Sequence, residues 1–227
     1  MKDFEYCAPK TLRETVSLLE DKGDNARILA GGTDLIVQLR SKRFETERVI
    51  DIKHVPELNE LSFGNRKGLV IGAGVPCWRI YNDSEVVDHY PGLIDSASII
   101  GGIQIQGRAT LGGNLCNASP SADTTPSLIA HSAVCHIVGP EGKRSMPVEE
   151  FCIAPGKNAL NPGELLVAGY GPNMPHFRGQ IDERGIDGLI MMMAKIDKFD
   201  AAGRFKGTLP SESAGGAEGT ESEEKSA

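Results

Sequence analysis

Two segments of the chain are rich in glycine and in small polar side chains, which are the groups that hold an anionic ligand. The longer segment covers residues 108–126 and contains a glycine pair between Thr110 and Asn114. Paired glycines let backbone N–H groups approach an anion closely, and hydroxyl and amide side chains add further donors. A shorter segment, residues 30–35, repeats this chemistry with two glycines and a threonine. We interpret the pair as two loops that hold the two halves of a diphosphate.

The two segments differ in how strongly they indicate ligand binding. Taken alone, Gly31 and Gly32 are better explained as a tight turn between a strand and a helix. The longer segment has more hydrogen-bonding side chains than a turn requires, including those of Asn117 and Asp123, so ligand binding is the better explanation there. Neither segment matches the P-loop pattern or the G-x-G-x-x-G fingerprint, which disfavours a P-loop kinase and a simple Rossmann dehydrogenase.

The elements that position the first segment can be predicted from local patterns. A capping box at Thr11 and Glu14 begins a helix over residues 11–21. A short strand over residues 27–30 then enters the first glycine loop, and a helix over residues 34–40 leaves it. The sequence therefore predicts a strand, a turn and a helix around the first loop.

The second segment precedes a helix with Asp123 as its predicted N-cap. This arrangement directs the longer loop toward a helix N-terminus. Other predicted strands cover residues 48–52, 68–73, 133–138, 163–168 and 188–198, and other predicted helices cover residues 77–90, 92–100 and 124–131. A cluster of glycine and proline at residues 171–175 predicts a domain boundary.

Composition limits the classes of partner. The 227 residues are 40% hydrophobic, which is enough for one large domain or two small ones. The formal net charge of −7 argues against nucleic acid and anionic membranes, because both select clustered Lys and Arg. Residues 208–227 carry five glutamates and one lysine, and their low apolar content predicts a disordered acidic tail.

Cysteine usage and hydropathy predict a soluble cytoplasmic protein. The five cysteines are odd in number and widely spaced, with no C-x-x-C pair, which favours reduced thiols over a disulfide framework. The N-terminus has no apolar signal segment, and the apolar run at residues 189–194 is far shorter than the roughly 20 residues that a membrane span needs.

No residues are spaced as a catalytic set. Neither a Ser/His/Asp nor a Cys/His arrangement stands out, and His131 and His136 are better explained as core or surface histidines than as metal ligands. We therefore predict no catalytic residue and no metal on this chain, and expect its chemistry to reside in a cofactor. Flavin adenine dinucleotide suits two phosphate-holding loops, because its ring stores electrons and the protein needs only to hold, orient and tune it.

Both segments resemble the FAD loops of the flavoprotein subunits of molybdenum hydroxylases. This family includes the medium subunit of aerobic carbon monoxide dehydrogenase, the FAD subunit of bacterial xanthine dehydrogenase and the equivalent subunit of 4-hydroxybenzoyl-CoA reductase. The resemblance rests on residues 30–35 and 110–123, with further matches at residues 4–9, 71–75, 155–157 and 162–166. It implies an α+β fold, namely a p-cresol methylhydroxylase-type FAD-binding domain of two α+β subdomains.

The resemblance also implies domain limits and site residues. The FAD-binding domain would occupy residues 1–172, a truncated or diverged C-terminal α+β domain residues 173–207, and the acidic tail residues 208–227. Residues 29–35 and 110–114 would enclose the pyrophosphate, Asp123 would make a polar contact to FAD, and Leu165 or Leu166 would pack near the flavin. The implied cofactor-binding residues are Leu29, Ala30, Gly31, Gly32, Thr33, Asp34, Leu35, Thr110, Gly112, Gly113, Asn114, Asp123, Leu165 and Leu166.

In such three-subunit complexes the substrate is oxidised at a molybdopterin on a large subunit. Electrons pass through two [2Fe-2S] clusters on a small subunit, and FAD delivers them to NAD⁺, a quinone or another acceptor. The resemblance implies that this chain carries FAD and no cluster. Two alternatives remain: a self-contained flavin oxidoreductase and a non-catalytic, degenerate flavoprotein fragment.

Overall fold

The structure is a computed structural model that describes residues 1–64 and 68–171. The predicted C-terminal domain at residues 173–207, its strand at 188–198 and the tail at 208–227 lie outside the described residues. Within the described part, no helix is both long and apolar enough to cross a bilayer.

The N-terminal part of the chain forms a small parallel sheet with two helices. Its strands are β1 (Glu5–Cys7), β2 (Ala26–Leu29) and β3 (Arg48–Asp51), in the order β1-β3-β2. Helix α1 (Leu12–Lys22) connects β1 to β2, and helix α2 (Leu35–Arg40) follows β2. Because all three strands are parallel, the loop after β2 emerges at the carboxyl edge of the sheet.

Helix α1 has the predicted cap at its N-terminus. The Glu14 N–H donates to Oγ1 of Thr11 at 3.2 Å, and the Glu14 carboxylate accepts from the N–H of Lys10 at 3.0 Å. The helix ends at Gly23, whose φ of +50° suits a residue without a β-carbon. Val16 and Leu19 then face the core.

Five strands from the rest of the described chain form a larger antiparallel sheet. Its strand order is β4-β5-β10-β6-β7, and β8 and β9 form a separate two-stranded sheet. The strands are β4 (Leu61–Gly64), β5 (Gly68–Gly72), β6 (Val134–Gly139), β7 (Gly142–Pro147), β8 (Cys152–Ala154), β9 (Lys157–Asn158) and β10 (Leu165–Gly171). The central strand β10 pairs with β5 on one side and with β6 on the other.

Six helices lie between β5 and β6. They are α3 (Cys77–Tyr81), α4 (Ser84–His89), α5 (Pro91–Ser98), α6 (Ile103–Gln106), α7 (Leu111–Asn117) and α8 (Thr124–Ala130). The helical stretch predicted over residues 77–90 is present but is divided into two helices, because Asp83 caps a new helix by accepting the N–H of Val86 at 3.2 Å. The helix predicted over residues 124–131 is present as α8.

Part of the longer glycine segment is helical, which corrects its interpretation as a continuous loop. Helix α7 begins after Thr110 and contains both glycines of the pair. A β-carbon on Gly112 would lie 2.5 Å from Cα, Cβ and O of Ala73. Glycine is therefore required where α7 packs against the chain after β5, and this packing outweighs the low helix propensity of glycine.

One hydrophobic core joins the two sheets and the helices. Ile50 of β3, Leu58, Val75 and Phe151 are all completely buried in this cluster. A second, smaller cluster contains Leu29. Helices combined with one parallel and two antiparallel sheets confirm the predicted α+β class.

Candidate FAD site

The first segment is a tight connection between β2 and α2, as predicted. Strand β2 ends at Leu29, Gly32 adopts a φ of +78°, and α2 starts at Leu35. A residue with a β-carbon would be strained at Gly32. The backbone N–H groups of residues 31–34 donate to no acceptor among the described residues, so the connection offers several donors to a bound anion.

The second segment offers donors from the beginning of α7. Thr110 is extended, with φ of −121° and ψ of 149°, and its Oγ1 accepts the N–H of Gly113 at 2.9 Å. The Gly113 N–H is therefore used by the cap. The Gly112 N–H has no acceptor in the described part of the chain, whereas the Leu111 N–H faces the chain at Val75 in the antiparallel bridge between Pro76 and Thr110.

Direct backbone packing brings the two segments together. A β-carbon on Gly31 would overlap the carbonyl oxygen of Arg108, so the two backbones touch at this point. The Arg108 Nε donates to the Gly31 carbonyl oxygen at 3.3 Å. A β-carbon on Gly113 would lie 4.0 Å from Cβ of Ala30. Residues 77 positions apart thus form one site.

Side-chain hydrogen bonds hold α7 against its neighbours. Gln38 of α2 donates through Nε2 to Oδ1 of Asn117 at 3.3 Å. At the end of α7, the Asn158 side chain donates to the Cys116 carbonyl oxygen at 2.7 Å, and the Gly156 N–H donates to the Ala118 carbonyl oxygen at 2.8 Å. The Thr124 hydroxyl donates to Oδ1 of Asn114 at 2.8 Å. The helix that carries the second segment is therefore fixed on several sides.

The predicted role of Asp123 as a helix cap is wrong. Its φ of −64° and ψ of −30° are already helical, and its side chain makes no capping hydrogen bond to α8. Asp34 stands in the same position before α2, also without a capping bond. Both carboxylates are exposed, and Thr33 is partly exposed. A polar contact between Asp123 and FAD stays a prediction.

Leu165 and Leu166 lie inside the protein, at the start of β10. Each side chain is 3% exposed and belongs to the main core. Leu166 lines a narrow apolar cavity together with Leu111, Gly112 and Leu115 of the α7 region. Leu166 therefore lies in the core next to α7. Contact of either leucine with the flavin ring stays a prediction.

Sequence reasoning did not single out Arg108, Gln38 or Thr124. Arg108 is the only cation within residues 29–35 and 108–126, which also contain the carboxylates of Asp34 and Asp123. That charge pattern was a detectable signal for a residue near a diphosphate. Gln38 carries no such signal, because its contact with α7 appears only in the folded chain.

Thiol chemistry is disfavoured near the second segment. Desolvation, with smaller contributions from Cys135 and Cys152, raises the pKa of the Cys116 thiol to about 12. Desolvation also raises the pKa of Cys135 to about 12. Protonated thiols are poor nucleophiles and poor metal ligands. Among the described residues, no group of three His, Cys, Asp or Glu side chains is arranged to hold a metal ion.

The residues present fit a dinucleotide. Gly31 lets the backbones of the two segments touch, Gly32 allows the left-handed turn after β2, and unused N–H groups on both segments suit the two phosphates. The single cation on the segments, Arg108, matches the negative charge of a diphosphate. The arrangement can therefore bind and orient a diphosphate-linked cofactor.

Comparison with known proteins agrees with this geometry. Residues 2–173 match the model of the FAD binding domain in molybdopterin dehydrogenase. The xanthine dehydrogenase FAD-binding subunit of Escherichia coli O157:H7 is 36% identical over 176 residues, which are 77% of this chain and 60% of that protein. The carbon monoxide dehydrogenase medium chain of Hydrogenophaga pseudoflava is 32% identical over 164 residues, 72% of this chain and 57% of that one.

A solved structure shows the same fold. Reconstituted CO dehydrogenase from Oligotropha carboxidovorans superposes with a TM-score of 0.74 at 28% identity, covering 77% of this chain and 60% of that chain. The chain spans about 60% of the length of these relatives. With 172 residues matched by the family model, the chain belongs to the FAD-binding domains of the molybdopterin dehydrogenase family.

Proposed function

We propose that this chain is the FAD-binding, electron-transferring subunit of a molybdopterin-dependent hydroxylase or dehydrogenase complex. It would pass electrons from the [2Fe-2S] clusters of a small subunit to NAD or a quinone-type acceptor, while a large molybdopterin subunit oxidises the substrate. The observation that carries the proposal is the junction of the two glycine segments at Gly31 and Arg108, because it forms one site with unused N–H donors.

The residues of this chain bind and orient the cofactor. In the proposed site, the N–H groups of residues 31–34 and the side chain of Asn114 hold the diphosphate, while Arg108 neutralises part of its charge. The backbone contact at Gly31 fixes the spacing of the two segments. Bound FAD supplies electron storage and transfer, so the protein needs no acid or base of its own for this role.

The names of the relatives support a multi-subunit assembly. One relative is called an FAD-binding subunit and another a medium chain. We propose that the FAD-binding domain occupies residues 1–172, which is close to the matched range of 2–173. We also propose that the complex is cytoplasmic, as the five widely spaced cysteines suggest.

Two measurements test this proposal. The full chain, expressed alone and titrated with FAD, is expected to bind about one FAD with a visible flavin spectrum. Purification of the native complex through a tag on this chain is expected to recover an iron–sulfur subunit and a molybdopterin subunit, with iron, molybdenum and flavin all present. A chain that stays colourless in excess FAD contradicts the flavin assignment, and a flavin-containing chain that purifies without partners contradicts the complex.

A further inference from the structure

The hydrogen bond between Thr124 and Asn114 joins α8 to the second segment of the site. The Thr124 Oγ1 donates to the Asn114 Oδ1 at 2.8 Å. Thr124 is completely buried at the start of α8, whereas Asn114 is half-buried on α7 beside the cap formed by Thr110 and Gly113. A threonine hydroxyl can also accept, but its buried O–H would then need another acceptor, and Asn114 Oδ1 is its one acceptor among the described residues. The bond therefore favours the amide orientation in which the oxygen faces Thr124.

The orientation of the Asn114 amide determines whether a ligand faces a hydrogen-bond donor or an acceptor. An asparagine amide has one oxygen, which accepts hydrogen bonds, and one NH₂ group, which donates two. Since the oxygen is occupied by Thr124, the NH₂ group is the part that remains for a ligand. An anionic phosphate oxygen requires donors, so the opposite orientation of the amide would place two acceptors against each other.

The neighbouring threonine shows that this contact is specific to one position. Thr125 is also buried, at 2% exposure, and its Oγ1 has no hydrogen-bond partner among the described residues. The two side chains are therefore identical in type, adjacent in sequence and similar in burial. They differ because Thr124 donates to Asn114 and Thr125 does not.

We propose that Thr124 is a positioning residue, which orients the Asn114 amide so that its NH₂ group faces the diphosphate of FAD. This inference rests on the proposed function and on the predicted contact of Asn114 with FAD. Replacing Thr124 with valine keeps the branched shape and removes the donor, so the amide is free to turn its oxygen toward the phosphates.

The first test compares FAD affinity in the full chain. Thr124→Val is expected to weaken FAD binding about tenfold, because the Asn114 NH₂ group no longer faces the charged phosphates in every bound molecule. Thr124→Ser restores a hydroxyl donor and is expected to bind within about threefold of the wild type, a difference of less than 1 kcal/mol. Thr125→Val is the matched control, and it is expected to leave FAD affinity unchanged. Equal FAD affinity in Thr124→Val and the wild type overturns the proposal.

A double-mutant cycle separates positioning from simple support of the fold. Asn114→Ala alone is expected to weaken FAD binding, and adding Thr124→Val to it is expected to have little further effect, because Thr124 acts through Asn114. An equal loss from Thr124→Val in both backgrounds overturns the proposal. An unchanged affinity in Asn114→Ala also overturns it while FAD binding stands, whereas a wild-type chain that binds no FAD contradicts the proposed function itself.

Discussion

Gly31 is the residue at which the two segments of the site are in closest contact. Its missing side chain leaves room for the Arg108 carbonyl oxygen. Gly31→Ala is expected to separate the segments and to weaken FAD binding about tenfold or more, since forced overlap costs about 1–3 kcal/mol. Isothermal titration of the full chain with FAD measures this loss. Gly169→Ala is the control, because a β-carbon there meets no atom within 4 Å. Equal losses in both variants contradict the role of Gly31.

Arg108 is the second residue whose contribution can be tested in isolation. Its exposed guanidinium donates to the Gly31 carbonyl oxygen and supplies the one positive charge of the two segments. Arg108→Gln is expected to weaken FAD binding more at about 0.01 M salt than at about 1 M salt, because the Debye length falls from about 30 Å to about 3 Å. Arg13→Gln on the exposed face of α1 removes the same charge far from the segments in sequence. A salt-independent loss at Arg108 points to lost packing instead.

At the level of elements, the start of β10 depends on one ion pair. Arg144 of β7 donates through Nε and Nη2 to the two carboxylate oxygens of Glu164, both at 2.7 Å. These hydrogen bonds outweigh desolvation and lower the Glu164 pKa to about 2. Because the folded pKa lies below the ordinary value of about 4.3, the stabilisation is complete above that pH and disappears as the pH falls toward 2.

Glu164→Gln is therefore expected to lower the free energy of unfolding at pH 7 by about 2 kcal/mol. The difference from the wild type is expected to shrink as the pH falls below about 4.3 and to vanish near pH 2. Urea unfolding across this range measures the difference. Glu141→Gln, at an exposed position in the turn before β7, is the control and is expected to change stability by less than about 0.5 kcal/mol. A difference that persists unchanged at pH 2 contradicts the assignment to the ion pair.

The elements also show which features are accessible from sequence. The β2 to α2 connection was predictable, because its signals are local: an apolar strand, two glycines and a helix pattern. Helix α7 was not, because its glycine pair is typical of a turn and only the packing of Gly112 against Ala73 explains a helix there. Strand β7 is largely polar, so its pairing with β6 creates a strand that composition alone does not indicate.

The residues of the site were predictable from the sequence, but the contacts between them were not. Both glycine segments follow from composition and resemblance, whereas the contact between Gly31 and Arg108 links positions far apart in the chain. Such contacts depend on how the two sheets share one core, which includes Ile50 of β3 and Leu165 of β10. Local patterns carry no information about that arrangement, and the same holds for the bond between Thr124 and Asn114.

At the scale of the whole molecule, the proposed site joins the parallel sheet to a helix that packs against the antiparallel sheet. The first segment follows β2, and the second begins α7, which packs against β10. A ligand that binds both segments in the folded state, and neither in the unfolded state, shifts the folding equilibrium by mass action. FAD at about 100 times its dissociation constant is expected to stabilise the chain by about 2.7 kcal/mol.

That stabilisation corresponds to a rise in Tm of about 5–10 °C for a chain of this size. Riboflavin carries the same ring without phosphates, so it is the matched ligand control and is expected to produce a much smaller shift at equal concentration. Differential scanning calorimetry of the full chain measures both. An equal rise with riboflavin and FAD would mean that the glycine segments do not hold the diphosphate. A selective rise with FAD that Gly31→Ala abolishes would show that the cofactor binds where the two segments meet.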